Sequence, residues 1–218
     1  MSRKIGVVLS GCGVYDGSEI HEAVFTLLAI DRAGAEAVCM APDIDVPEIN
    51  HLTGEPTGAT RNTLVESARI ARGKIRNIKD VAADELDALV FPGGYGAAKN
   101  LCNFAEKGPQ AEINPDVKRL LREVAAAKKP IGAICIAPAL VAATLGTEYA
   151  AKLTIGNDPG TAAAINATGS CHVDCPVTEF VIDDTHKIVS TPAYMLASRI
   201  SEPAEGIEKL VREVIRLI

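Results

Sequence analysis

The chain is poor in aromatic side chains: tryptophan is absent, and aromatic residues make up only 4% of its 218 residues. Hydrophobic residues nevertheless account for 48% of the chain, and most of them are small or aliphatic. Ala, Val, Ile and Leu are typical of parallel strands that helices cover on both faces. The composition therefore favours a helix-covered parallel sheet over an all-β sandwich.

Long runs of a single character are also missing. The net charge is −6 and the sequence holds no long basic run, so we expect no nucleic-acid partner. No apolar run reaches the length of a membrane-spanning helix, so we expect no membrane partner. The apolar run near the amino terminus is too short for a signal peptide. From these features we expect a cytoplasmic protein.

The six cysteines do not form a C-x-x-C pair. Without a secretion signal, such dispersed cysteines are expected to be reduced thiols. The turn after the first predicted strand has neither the G-x-G-x-x-G nor the G-K-[ST] pattern, so we expect no nucleotide cofactor. The cluster Cys171-His172-Val173-Asp174-Cys175 contains metal-ligand side chains but lacks the paired spacing of a zinc site, and we expect no metal there.

Apolar runs alternate with helical periodicity along the chain, which is typical of βαβ units. Strands are predicted at 5–9, 36–40, 88–91, 130–134 and 153–155, and helices at about 16–33, 62–72, 115–127 and 137–144. Residues 43–61 are predicted to be a loop or small insertion, and 177–190 a β-hairpin. No repeat or linker divides the chain, so we predict one domain over residues 1–218.

The segment 128–140, KKPIGAICIAPAL, predicts a buried strand that turns directly into a helix at Cys135. Pro138 suits the first turn of that helix. A thiol at a helix N-terminus tends to have a lowered pKa, which predicts a partly ionised nucleophile at the carboxyl edge of the sheet. The alternative is an ordinary buried cysteine.

A glycine-rich turn, Pro92–Gly96, follows another predicted strand. Glycines let the backbone approach a ligand closely and leave N–H groups free to bind an anion. The alternative is an ordinary flexible turn.

Three carboxylates near the start of the first predicted helix have two different predicted roles. Asp16 and Glu19 have the spacing of a capping box, and His21 is expected near that cap on the surface. Glu22 lies opposite the predicted apolar stripe, which by itself indicates a solvated carboxylate. That stripe consists of Ile20, Ala23, Val24, Leu27 and Leu28.

Several longer stretches together resemble one family. SGCGVYDGSEIHE, INHLTGE, FPGGYGAAKNL, CIAPA, LTIG and TPAYMLA are similar to signature stretches of the ElbB-type proteins, known as isoprenoid-biosynthesis proteins with an amidotransferase-like domain or as sigma cross-reacting protein 27A. The resemblance covers essentially the whole chain. It extends to the wider class I glutamine amidotransferase-like superfamily, with the PfpI proteases and the deglycase and glyoxalase group.

This resemblance implies a fold and a site. The fold is an α/β flavodoxin-like three-layer sandwich with a mostly parallel central sheet and a small β-hairpin, commonly in a homodimer. The implied catalytic residues are Cys135 as nucleophile and Glu22 as its carboxyl partner, with Glu19 as the second choice. Backbone N–H groups of Gly94 and Ile136, next to Gly93, would form the oxyanion hole.

The sequence also departs from the superfamily at its histidines. Ile136 stands where PfpI proteases have a histidine, and Gly156 where the deglycase group has one. His172-Val173-Asp174 is the nearest match to the His-x-Glu of amidotransferases. Proteolysis and glutamine hydrolysis are therefore disfavoured by the resemblance.

Three functions follow as hypotheses. The first is a cofactor-independent glyoxalase that converts glyoxal or methylglyoxal to glycolate or lactate, so that the partner is a small aldehyde. The second is a non-enzymatic cysteine redox sensor or partner-binding protein, linked to isoprenoid metabolism by the family's name. A glutaminase-like amide hydrolase is the third.

Overall fold

The computed structural model describes residues 2–218, and these residues form eleven strands. In chain order the strands are β1 (Lys4–Val8), β2 (Glu36–Ala41), β3 (Asp45–Ile49), β4 (Pro56–Asn62), β5 (Arg76–Asn77), β6 (Ala88–Phe91), β7 (Ile131–Ile134), β8 (Lys152–Leu153), β9 (Cys171–His172), β10 (Val181–Asp183) and β11 (Ile188–Thr191). Seven of them make one central sheet in the order β10-β11-β7-β6-β1-β2-β5. Every neighbouring pair in this sheet is parallel except β10 with β11.

Helices cover both faces of the sheet. They are α1 (Ile20–Arg32), α2 (Thr63–Ile70), α3 (Tyr95–Lys99), α4 (Phe104–Lys107), α5 (Pro115–Ala126), α6 (Ala137–Tyr149), α7 (Pro159–Ala167) and α8 (Ser201–Arg216). The apolar cores on the two faces are separate: α1, α2 and α8 contribute to one, and α3 to α7 to the other. The predicted flavodoxin-like three-layer sandwich is confirmed.

The strands that make the core are short apolar runs with no exposed position. All residues of β6, β7 and β11 are buried, as expected for parallel strands that helices cover on both sides. The helices show the matching amphipathic pattern, since α5 buries Val117, Leu120, Leu121 and Val124 on one face. Because the apolar patterns in the sequence match the buried faces of these strands and helices, the core elements could be predicted from the sequence.

The segment 43–61, predicted to be a loop or small insertion, contains two strands that were not predicted: β3 and β4 pair there as an antiparallel hairpin. Asp16 fixes the hairpin to the body of the protein. Its carboxylate accepts a hydrogen bond from the Ile49 N–H at 2.9 Å and pairs with Arg61 at 3.1 Å. The predicted hairpin at 177–190 is confirmed as β10 and β11, which extend the central sheet.

The strand order places several loops together. β1, β6, β7 and β11 are adjacent and parallel, so their carboxyl ends lie at one edge of the sheet. Strand order reverses between β1 and β6, and open α/β sheets bind ligands at such a point. Among residues 2–218, no helix is long and apolar enough to cross a membrane.

Candidate active site

Cys135 occupies a sharp turn between β7 and α6. Its φ is +63°, a left-handed conformation that is uncommon for residues other than glycine. The Cys135 N–H donates to the Thr191 carbonyl at 2.9 Å, which ties the turn to the end of β11. Such strained positions often occur at functional sites, where the surrounding structure holds them. The predicted strand-to-helix turn is therefore present, with the thiol at the carboxyl edge of the sheet.

Glu22 lies beside this thiol with no exposed surface. Its Oε2 accepts a hydrogen bond from the Gly93 N–H at 3.0 Å, and its Oε1 accepts one from the Tyr194 N–H at 3.1 Å. The carboxyl group is also within hydrogen-bonding reach of the Cys135 side chain. The periodicity prediction of a solvated Glu22 is wrong, whereas the position implied by the family resemblance matches the structure.

The first turn of α1 is drawn toward the glycine-rich turn by backbone contacts. The Glu19 N–H donates to the Gly93 carbonyl at 3.0 Å. A side chain on Gly94, whose φ is +92°, would lie 2.3 Å from the Glu19 nitrogen. This close approach requires glycine, and it turns Glu22 toward Cys135.

The capping box and apolar stripe predicted for α1 are both wrong in detail. Glu19 is the N-cap and accepts from the Glu22 N–H at 2.8 Å, while Asp16 belongs to the hairpin contact described above. The buried face of the helix is rotated from the prediction, because it must hold Glu22 in the site. It consists of Glu22, Ala23, Thr26, Ala29 and Ile30.

Two backbone N–H groups face the sulfur, and both were predicted. The N–H groups of Gly94 and Ile136 act on the Cys135 side chain, because they lower the pKa of its thiol. Gly93, predicted next to them, donates its N–H to Glu22. An added Cβ on Gly93 would lie 2.4 Å from the Cys135 Cβ, so this glycine makes room for the pair.

Burial raises the pKa of Glu22 to about 8, with a smaller contribution from the negative charge of Glu19. Hydrogen bonds from Tyr194, Cys135 and Gly93 oppose this shift. The raised pKa agrees with the value that a proton-transferring carboxyl needs near neutral pH.

The pKa of Cys135 is opposite in direction to its prediction. Burial and the nearby Glu22 carboxylate raise the pKa of the thiol well above 9, and the N–H groups of Gly94 and Ile136 oppose them only in part. The helix N-terminus alone suggested a lowered pKa because sequence does not reveal that the thiol is buried beside a carboxyl. At neutral pH the Cys135 thiol is therefore protonated, and it lies beside the Glu22 carboxyl group.

A cavity of about 650 Å³ opens at Cys135. Glu19, Gly94, Cys135 and Ile136 all line it. Most of the remaining wall is apolar and comes from Val14, Ala98, Phe104, Ala105, Ala164 and Met195. Its volume is in the range that holds small organic ligands.

Tyr194 is a site residue that sequence reasoning missed. Its side chain lines the cavity, and its hydroxyl lies 2.8 Å from the Nδ1 of His21. Burial, with the charges of Glu19 and Glu22, raises the pKa of the phenol, so the hydroxyl keeps its proton at neutral pH. The sequence did contain a signal for Tyr194, because the stretch TPAYMLA directly follows the predicted hairpin at 177–190.

Comparison with known proteins identifies the family. A sequence model of the DJ-1/PfpI family matches residues 13–185. The chain belongs to the DJ-1/PfpI family. It is 45% identical to the rat ES1 protein homolog, mitochondrial, over 98% of this chain and 84% of that protein. It is 44% identical to the human glutamine amidotransferase-like class 1 domain-containing protein 3, mitochondrial, over 99% of this chain and 84% of that protein.

A solved structure of similar sequence supports the same assignment. The crystal structure of an isoprenoid biosynthesis protein with amidotransferase-like domain from Ehrlichia chaffeensis is 41% identical. It covers 99% of both chains with a TM-score of 0.94. The family resemblance drawn from the sequence motifs is confirmed.

This DJ-1/PfpI chain has no room for a histidine at position 156. Gly156 has a φ of +103°, and a Cβ there would lie 2.8 Å from Leu196. His172 is buried elsewhere, where its Nε2 accepts from the Ile155 N–H at 3.3 Å. His186 is half-buried and pairs with Asp183. The histidine that lies at the cavity margin is His21.

The remaining cysteines are separate from the site. All six cysteines are free thiols, as predicted. Within residues 2–218, no group of three or more His, Cys, Asp or Glu side chains is placed to hold a metal ion. Cys171 is exposed while Cys175 is buried, so the cluster at 171–175 does not converge.

Proposed function

We propose that this protein is a glutathione-independent glyoxalase that converts small α-oxoaldehydes, such as glyoxal and methylglyoxal, to 2-hydroxy acids. One observation carries the proposal: the fully buried Glu22 carboxyl lies beside Cys135, and Cys135 lines a cavity. Such a pair provides a nucleophile together with a base that can receive its proton.

In the first step, Glu22 accepts the proton of Cys135 while the sulfur attacks the aldehyde carbon. The carbon–sulfur bond forms as the carbonyl π bond breaks, and the charge passes to oxygen. The N–H groups of Gly94 and Ile136 stabilise that oxyanion. Glu22 then returns the proton to the oxygen, which gives a neutral hemithioacetal.

The second step is an isomerisation that moves two protons. One proton passes from the former aldehyde carbon to the neighbouring carbon, and Glu22 carries it. The other passes from the first oxygen to the second. Tyr194 performs this transfer, since it lines the same cavity and a phenol hydroxyl can donate and accept at once.

The product of this isomerisation is a thioester on Cys135. Water adds to its carbonyl carbon and the carbon–sulfur bond breaks, which releases the 2-hydroxy acid and restores the thiol. The substrate's aldehyde carbon is oxidised and its ketone carbon reduced, so the sequence requires no external oxidant, reductant or cofactor.

A tyrosine substitution tests the second proton transfer. We expect Tyr194→Phe to lower kcat at least tenfold, because general acid–base catalysis contributes about 100-fold or more. The rate of Cys135 alkylation by iodoacetamide should stay within about twofold of the native rate, since the thiol and Glu22 are unchanged. An unchanged kcat would remove Tyr194 from the mechanism.

The second candidate function is a cysteine redox sensor. The same N–H groups of Gly94 and Ile136, with a protonated Glu22, would stabilise the oxygens of an oxidised Cys135. Selective oxidation of Cys135 by peroxide, followed by intact mass, without any aldehyde turnover would favour this function. A glutaminase-like amide hydrolase is a weaker candidate because His172, the nearest match to the amidotransferase histidine, is not among the residues that line the cavity, and its Nε2 accepts from the Ile155 N–H.

The proposal also concerns the cellular location, the pathway and the oligomeric state of the protein. The relatives named above are called mitochondrial, so they do not support the expected cytoplasmic location; six free cysteines support only a reducing compartment. A link to isoprenoid biosynthesis rests on the name of the Ehrlichia protein. A homodimer, implied by the family resemblance, is also proposed, and the exposed apolar residues Ile20, Val24 and Leu28 of α1 support it.

The experiment is methylglyoxal consumption without glutathione, with lactate as the measured product. We expect the native protein to be active and Cys135→Ala to lose at least 1,000-fold. Cys175→Ala is the matched control, because Cys175 is also buried and lies outside the cavity lining. Equal activity of Cys135→Ala and the native protein would contradict the proposal.

A further inference from the structure

The cavity over Cys135 is much larger than a three-carbon aldehyde needs. Its volume of about 650 Å³ falls in the range of about 300–1,000 Å³ that accommodates drug-sized ligands. A substrate such as methylglyoxal would leave most of this space to water. The size of the cavity indicates a substrate with a body beyond the reacting carbonyl groups.

The wall of that space is apolar where the body of a substrate would lie. Phe104, Ile136 and Met195 belong to the wall and pack against the hydrophobic core. Val14 and Ala164 complete this surface from the loop after β1 and from α7. Contact with these side chains removes apolar substrate surface from water, which is favourable in proportion to the area covered.

The charge around the cavity has one sign. Of the residues described, 2–218, Glu19 and Glu106 are the charged side chains in the lining, and no lysine, arginine or histidine is among them. Lys99 and Lys107 lie near in sequence, but their ammonium groups are engaged. The first lies 4.9 Å from the centroid of the Tyr95 ring, and the second pairs with Glu112 at 2.6 Å.

A substrate anion would therefore have few partners. The N–H groups of Gly94 and Ile136 face the sulfur and would be occupied by the oxygen formed during the reaction. The negative charge of Glu19 is felt within the site, because it raises the pKa of both Glu22 and Tyr194. A carboxylate or phosphate in the cavity would meet the same repulsion without a compensating cation.

We propose that the cavity selects uncharged α-oxoaldehydes that carry an apolar body about the size of a phenyl ring, and rejects those that carry a carboxylate or phosphate. This inference rests on the proposed function for its chemistry and adds the substrate class. It implies that metabolites carrying a phosphate or diphosphate group are not substrates of this site.

Three aldehydes test the selection: methylglyoxal, phenylglyoxal and 4-carboxyphenylglyoxal. Phenylglyoxal also modifies arginine, so mandelate and 4-carboxymandelate are measured as products. We expect kcat/KM for phenylglyoxal to exceed the other two values at least tenfold. Values for either of the other substrates equal to or above that for phenylglyoxal would overturn the inference.

Two pairs of variants locate the selectivity. Ala164→Phe fills part of the cavity and should lower the phenylglyoxal-to-methylglyoxal ratio about tenfold, whereas Ala163→Phe, on the exposed side of α7, should keep the ratio. Glu106→Lys should raise the activity on 4-carboxyphenylglyoxal at least threefold, and Glu55→Lys, the same charge change on the β3–β4 hairpin, should not. Ratios that do not respond to Ala164 and Glu106 would place the selectivity elsewhere and overturn the inference.

Failure of the proposed function gives a different result. If no aldehyde yields a product, the glyoxalase proposal is wrong. The selectivity of the cavity is then tested by the binding of two unreactive ketones to the native protein. Acetophenone should then bind at least tenfold more tightly than 4-carboxyacetophenone, as measured by NMR titration. Equal binding, or none of either ketone, would overturn the selection itself.

Discussion

At the scale of single residues, the central feature is a carboxyl group with no exposed surface. Glu22 is held by two backbone N–H groups and a thiol, and burial raises its pKa to about 8 from an ordinary value of 4.5. The folded state thus binds a proton that the unfolded state releases between these values. Because this group binds its proton more tightly when folded, its contribution to stability is present below pH 4.5 and lost as pH rises through about 8.

This linkage predicts how Glu22→Gln changes with pH. Relative to the variant, the native protein should lose on the order of a few kcal/mol of unfolding free energy between pH 5 and pH 8, at about 1.4 kcal/mol per pKa unit. Urea unfolding at both pH values measures this difference. Other ionisable groups are common to both proteins and cancel. Parallel pH dependences for the two proteins would mean that the pKa of Glu22 is not raised.

Gly93 is a second residue whose role depends on close contact, here with Cys135 and Glu22. A Cβ there would lie 2.4 Å from the Cys135 Cβ and 2.6 Å from the Glu22 Oε2, so Gly93→Ala must displace the pair. We expect kcat/KM to fall roughly 100-fold, the size of effect that a displacement of about 1 Å produces. Gly54→Ala is the control: its Cβ meets nothing within 4 Å, so any backbone strain should affect stability and not turnover. Full activity of Gly93→Ala would contradict this role.

The sequence predicted the backbone features of the site correctly, but it did not predict which of its side chains are buried. The order strand, cysteine, proline, helix placed Cys135 on its turn, and the following N–H group of Ile136 came with it. The direction of the Cys135 pKa could not be predicted, because it depends on Glu22, which is more than a hundred residues away in the chain. Periodicity misplaced Glu22 for the same reason, since its environment comes from the β6 and β11 loops.

At the scale of elements, α1 serves two surfaces. Its buried face carries Glu22, and this rotation leaves Ile20, Val24 and Leu28 exposed at 41–45%. These residues are spaced four apart, so they form one stripe along the helix. An exposed apolar stripe on a helix is a common site of self-association, which supports the homodimer proposed from the family resemblance.

A charged residue in this stripe tests the dimer. We expect the native protein to be a dimer and Val24→Glu to be a monomer in multi-angle light scattering, because the charge would be buried without a partner. Val65→Glu is the matched control, since Val65 is 61% exposed on α2 and outside the stripe. A dimeric Val24→Glu protein would place the interface elsewhere.

The β3–β4 hairpin illustrates why one element was not predicted. Its strands contain prolines and glycine and few apolar residues, and most of their positions are exposed, so the sequence has no strand signal. Buried charges hold the hairpin instead: Arg61 contacts both Asp16 and Glu66. Such a contact between distant segments is visible only in the folded structure.

At the scale of the whole molecule, the fold follows from the order of its buried strands. Four adjacent parallel strands, β1, β6, β7 and β11, bring their following loops to one edge. The thiol, the glycine-rich turn and Tyr194 belong to these loops, and the helix after β1 adds Glu22. Sequence patterns predicted apolar strands in a helix-covered parallel sheet, and the family resemblance implied the flavodoxin-like sandwich. The assembled contacts at their ends required the structure.

The central claim is that Cys135 and Glu22 act as one catalytic unit on an α-oxoaldehyde. The most direct test is a double-mutant cycle of kcat/KM for phenylglyoxal, with Cys135→Ala, Glu22→Gln and the double variant. Groups that act as a unit give non-additive losses. We predict that each single variant loses nearly as much as the double variant. Losses that multiply in the double variant, or a native rate no greater than that of buffer, would contradict the account.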